Sequence, residues 1–164
     1  RTPAAERKLS AHFEAREVRK EYLALALGEM EAARMTLSAP IEPGRKGRMR
    51  CGPAGKNART IFEVIERFGG FTLLRVRPVS GRTHQIRVHA LVAGHPLAVD
   101  PVYRPASTWA QGEPPVIERL TLHARSIELP ASWEGDRRFT CEVPEDFRGA
   151  VEALELAARD SSIE

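Results

Sequence analysis

A chain of 164 residues, 42% of them hydrophobic, is long enough for one domain with a real core and has an ordinary globular composition. No stretch approaches the roughly 20 apolar residues that cross a bilayer, and the first residues, Arg1 to Glu6, lack the apolar centre of a signal peptide. The formal charge is +3, and 21 of the 25 basic residues are arginine, the side chain best suited to bidentate phosphate contacts and to stacking on bases. A GC-rich genome would give the same arginine bias, so only its clustering is informative. Cys51 and Cys141 lie far apart without metal-ligand spacing, which suits free thiols in the cytoplasm. The absence of an initiator Met suggests part of a longer chain.

In chain order, Thr2-Pro3 reads as an N-cap followed by proline at the first helical position. A helix is predicted to about Arg16, with Leu9 and Phe13 on its buried face. Glu21 to Gly28 alternates strictly, as a strand does. Leu23, Leu25 and Leu27 fall on one face. Tyr22, Ala24 and Ala26 fall on the other, where small residues beside a large ring leave space for a ligand. Residues 37–59 are turn-rich and basic. Thr60 to Phe68 and Phe71 to Val76 form a predicted hairpin around Gly69-Gly70. Ser80-Gly81 marks a turn, Thr83 a helix cap, and His84 to Ala93 a short helix closed by Gly94. Leu97 to Val99 reads as a short strand and 103–118 as a long loop. Strands follow near Leu120 to Leu129 and Arg138 to Val143. A final helix from Glu145 to about Ala158 should bury Phe147, Val151 and Leu154. Hairpin-linked strands with few helices predict an α+β fold, a largely antiparallel mixed sheet flanked by helices.

The chemistry concentrates in Gly81 to His89. Arg87 lies within an amphipathic helical pattern, so it should face a site and needs an anionic partner. Arg82, Thr83, His84 and Gln85 occupy a turn and a helix N-terminus, a natural place for a phosphate. Arg45, Lys46, Arg48 and Lys56 belong to a basic stretch running to Arg59 without interleaved aromatics. It therefore suits phosphate contacts better than base stacking. The spacing of His84, His89, His95 and His123 fits no common metal site, so no metal is expected.

Five elements in order carry a family resemblance. They are Lys20-Glu21-Tyr22, Gly55-Lys56-Asn57-Ala58, the run from Gly81 through Gly94-His95-Pro96 to Asp100-Pro101-Val102-Tyr103, Leu122-His123-Ala124, and Pro144-Glu145-Asp146-Phe147. The chain resembles the RluA-type pseudouridine synthases across nearly its whole length. Residues 1–164 would then be a partial catalytic domain with a pseudouridine synthase-like fold. The resemblance implies an isomerase that turns uridine into pseudouridine in structured RNA, ribosomal or transfer, with no cofactor because no redox step occurs. It further implies that Tyr22 lies against the target base and that Arg87 pairs with the catalytic Asp.

Two departures stand out. The family's nucleophilic Asp sits in a His-Arg-Leu-Asp-x-x-Thr-Ser-Gly segment just upstream of a Thr-Pro-Ala-type helix, and no such segment occurs in these residues. The chain is therefore expected to be inactive alone, with Arg87 exposed, on a solvent anion, or disordered for want of its partner. Val99 also stands where the family often has Gly. Asp100 is the acidic residue of the central motifs, and its Asp-Pro-x-Tyr setting resembles a turn that caps backbone amides. A non-catalytic RNA-binding module on the same scaffold is the alternative. An unrelated phosphate-binding enzyme is a third reading, but no Gly-rich phosphate loop, Cys-x5-Arg or paired-carboxylate motif supports it.

Overall fold

The computed structural model describes residues 2–103 and 117–160. The loop expected at 103–118 falls almost wholly outside them. Helix α1 spans Pro3–Glu14 and is capped by the Thr2 hydroxyl, which accepts from the Ala5 amide at 3.3 Å. Strands β1 (Arg19–Leu27), β2 (Arg34–Ser38), β5 (Arg59–Phe68), β6 (Phe71–Pro78), β7 (Leu122–Glu128) and β8 (Arg138–Thr140) form a six-stranded sheet in the order β2-β5-β6-β1-β7-β8. Every pairing in it is antiparallel. β3 (Ile41–Pro43) and β4 (Met49–Cys51) make a separate small hairpin around a 3₁₀ turn at Arg45–Gly47. Helices α2 (Gln85–Val92) and α3 (Glu145–Asp160) pack on opposite faces of the sheet.

The alternation in β1 places one layer on each side of the sheet, as the spacing predicts. Ala24 and Ala26 join Met30, Phe62, Leu74, Ile86 and Ala90 in one core. Leu25 joins Phe68, Phe71, Ala98, Phe147 and Ala150 in the other, flanked by Leu23 and Leu27. Both faces of β1 are thus covered, which is why its apolar run is continuous. The space above Ala24 and Ala26 holds no ligand cavity. It is taken by α2, since small residues let a helix approach closely. The face opens at Tyr22, which is only partly buried.

Several expectations need correction. α1 has no buried residue, and Phe13 is 42% exposed. Its cap and proline suffice to form it, and its inner side meets polar partners: His12 bonds Glu17 and stacks edge-on to Trp133. The 37–59 stretch is not turn alone. It contains the β3–β4 hairpin, and β2 precedes and overlaps it. Here charged residues on an exposed edge mask the strand pattern. Gly55 fits because a Cβ there would sit 2.5 Å from the Ile41 backbone. Leu97 to Val99 makes only a single bridge, Ala26 to Leu97. Val151 and Leu154 are partly buried, while Ala150 is the fully covered residue beside Phe147.

Candidate functional site

The turn ahead of α2 is built around Gln85. Its side-chain oxygen accepts from the Ser80 hydroxyl (2.7 Å) and the Arg82 amide (3.1 Å), and its nitrogen donates to the Arg59 carbonyl (2.9 Å) and Thr60 hydroxyl (3.0 Å). Gln85 is buried and its amide is fully engaged, so it braces the loop instead of reaching toward RNA. Thr83 does not cap the helix. The N-cap is His84, in the left-handed region at φ 55, with no side-chain cap.

That conformation carries the His84 ring to Tyr103, whose hydroxyl lies 2.9 Å from Nδ1. The same hydroxyl accepts from the Met49 amide at 2.9 Å. Its proton is therefore free to be donated to Nδ1 of a neutral imidazole. Burial, with the nearby Arg87 charge, pushes the His84 pKa down and favours that neutral form. His89 is enclosed between the Thr60 hydroxyl and the Ala39 carbonyl (2.8 and 3.1 Å), a structural histidine. Among the described residues, no group of three or more His, Cys, Asp or Glu could hold a metal ion.

Arg87 contradicts the expectation of an unpartnered cation. Its Nε and Nη2 donate to the two Asp100 oxygens at 2.8 and 2.5 Å, and its guanidinium lies 5.0 Å from the Tyr103 ring centroid. The side chains are 12% and 2% exposed. Asp100 also accepts from the Val102 and Tyr103 amides at 2.9 and 3.0 Å, the turn-capping role expected of it. Burial alone would raise the Asp100 carboxyl. The Arg87 and backbone hydrogen bonds overcome it and hold the carboxyl below its usual range. A fork needs only one of its edges for this pair, and no hydrogen bond from Nη1 occurs among the described residues. The sequence shows Asp100 only as the turn-capping residue of Asp-Pro-x-Tyr, and that role conceals its second one as the partner of Arg87.

Tyr22 and Arg87 meet in a cleft of about 300 Å³ with Arg82, His84, Leu120 and Leu122. Burial raises the Tyr22 phenol, so it stays protonated. Lys20 also lines the cleft and donates to the Ser80 carbonyl at 3.3 Å. Arg45, Lys46, Arg48 and Lys56 are exposed and outside it. Their turn is nonetheless joined to the site through Met49 and Tyr103. The role of Tyr103 escapes sequence reasoning, because it depends on contacts to three separate elements.

The family model described as RNA pseudouridylate synthase matches residues 1–91. The chain belongs to that family. Within it, ribosomal large subunit pseudouridine synthase D of Nitrosomonas europaea is 38% identical over 159 residues, which cover 94% of this chain and 46% of that protein. Ribosomal large subunit pseudouridine synthase C of Vibrio cholerae is 40% identical over 132 residues, covering 79% and 42%. Synthase D of Escherichia coli K12 is 35% identical over 170 residues, covering 98% and 51%. The chain thus spans about half the length of these relatives. The structure of human RNA pseudouridylate synthase domain containing 4 superposes with a TM-score of 0.74 at 22% identity, over 94% of this chain and 69% of that one, a likeness of fold.

Proposed function

We propose that this pseudouridine synthase domain, in its full-length protein, isomerises uridine to pseudouridine in RNA. The names of its relatives favour large-subunit ribosomal RNA over transfer RNA, and with it a cytoplasmic site of action. The observation that carries the reading is the convergence of Tyr22 and Arg87 in one cleft, with Arg82 and His84 also on its lining.

The reaction breaks N1–C1′, turns the uracil, joins C5 to C1′ and releases the C5 proton. The target must leave its stack to reach the cleft, where Tyr22, Leu120 and Leu122 offer flat and apolar surface to a base. A desolvated catalytic carboxylate needs a cation to stay ionised. Asp100 is not that carboxylate, because it is enclosed and fully hydrogen-bonded. It aims Arg87 instead, and the remaining edge of the guanidinium serves the catalytic carboxylate, which by the family resemblance lies N-terminal to α1. Arg45, Lys46, Arg48 and Lys56 contact phosphate farther along the strand.

Tritium release from RNA containing 5-tritiated uridine tests the reading. The full-length protein should release it, and Arg87→Ala should slow release by about a hundredfold or more. A full-length protein that binds RNA and releases no tritium would leave only the RNA-binding alternative.

A further inference from the structure

A second cleft adjoins the first. It has a volume of about 320 Å³ and is lined by Arg16, Ser38, Asn57, Arg59, Val79 and Ser80 among others. Ser80 is a wall of both clefts. Arg82 spans the junction, its Nε donating to the Asn57 carbonyl at 3.3 Å. We propose that this second cleft holds a phosphodiester of the RNA strand next to the inserted nucleotide. The proposal rests on the RNA reading above and names a part of the substrate that reading leaves unplaced.

Three observations support it. The first is charge. Arg16 and Arg59, like most of the arginines, have no carboxylate within 4.0 Å among the described residues, so two guanidiniums without an ion pair border one cleft. The second is chemistry. The lining holds two guanidiniums, an amide and two hydroxyls, of which that of Ser80 already donates to Gln85, with no acidic or aromatic side chain, a set that suits a phosphate oxygen and offers a base nothing to stack on. The third is placement. Arg16 follows the C-terminus of α1 at φ 61, where glycine is the favoured residue. Arg16 thus lines the cleft from a position where the helix does not need an arginine. The basic residues at 45–48 and Lys56, prominent in the sequence, line neither cleft.

The position of Arg16 supplies a clean variant, because Arg16→Gly removes the cation while relieving the left-handed backbone. Full-length protein carrying Arg16→Gly and Arg59→Gln should keep its melting temperature and bind a uridine-containing single-stranded RNA about tenfold more weakly. The slope of log affinity against log salt should shrink by about 0.7, one phosphate contact. Arg148→Ala, exposed on α3, should change neither. Neutral methylphosphonate is then placed in turn at each linkage flanking the target uridine. At one of the two it should weaken the wild type, yet leave the double variant unchanged. If the double variant binds RNA with the wild-type slope, or both linkages affect the two proteins equally, the subsite is wrong while the RNA reading stands. If the wild type binds no RNA, both fall together. Inorganic phosphate competing as strongly as RNA would also overturn the proposal, because it would mark a free-anion site.

Discussion

At the scale of single residues, Asp100 carries the most weight. It holds a buried guanidinium and two backbone amides at once, so its charge and its shape are separable. Asp100→Asn keeps an acceptor for Val102 and Tyr103 but strands Arg87. It should destabilise the fold by about 3–5 kcal/mol in urea denaturation, the usual cost of breaking a buried pair. Arg87→Lys should also lose activity although it keeps the charge, because an ammonium cannot serve two carboxylates from two edges. At Tyr22, Ala should weaken binding of the target strand by about 1–3 kcal/mol while Phe should change it little, since the ring supplies the contact. Isothermal titration with an oligonucleotide reads both. The sequence showed that Arg87 needs an anion. It did not show which one, because Asp100 is separated from it by the helix end, a glycine turn and a strand-like segment that only folding brings together.

Among the elements, legibility followed hydrophobic period. β1, the β5–β6 hairpin and α3 repeat apolar residues at the spacing of their structure, and each forms within two or three residues of its expected ends. α1 obeys local rules of capping that the sequence displays, whereas its depth depends on the tertiary fold. Phe13 looks like a core residue and stays 42% exposed. The β3–β4 hairpin failed for the opposite reason. It is short, charged and held mainly by backbone contacts, including the Ile41 amide to the Lys56 carbonyl at 3.0 Å. That packing makes a test. Gly55→Ala would press a methyl onto the Ile41 backbone, and should cost about 1–3 kcal/mol in thermal denaturation. It should also disturb the site through Met49 and Tyr103.

For the whole molecule, acid stability should fall in two steps. Burial lowers the pKa of both His84 and His89 from 6.5. The unfolded chain therefore binds more protons below 6.5, and the contribution of these neutral rings, full above that value, declines as pH falls. Asp100 lies below 3.8. Its contribution is full above 3.8 and disappears as pH falls through its folded value. Urea midpoints measured from pH 8 to pH 2 should show both declines, and Asp100→Asn should reduce the lower one, leaving the part due to Asp146, whose carboxyl the Arg119 hydrogen bonds also hold down. A third consequence follows from the burial of β1 on both faces. Its amides from Ala24 to Ala26 should exchange with deuterium only when the entire chain opens, whereas the exposed 45–48 turn exchanges through small local openings. Tyr22 stands at the end of the slow segment and Tyr103 is tethered to the fast one. The receptacle therefore has an immobile floor at Tyr22, while His84 and Arg87 on its rim lean on Tyr103 and so on the turn that opens first.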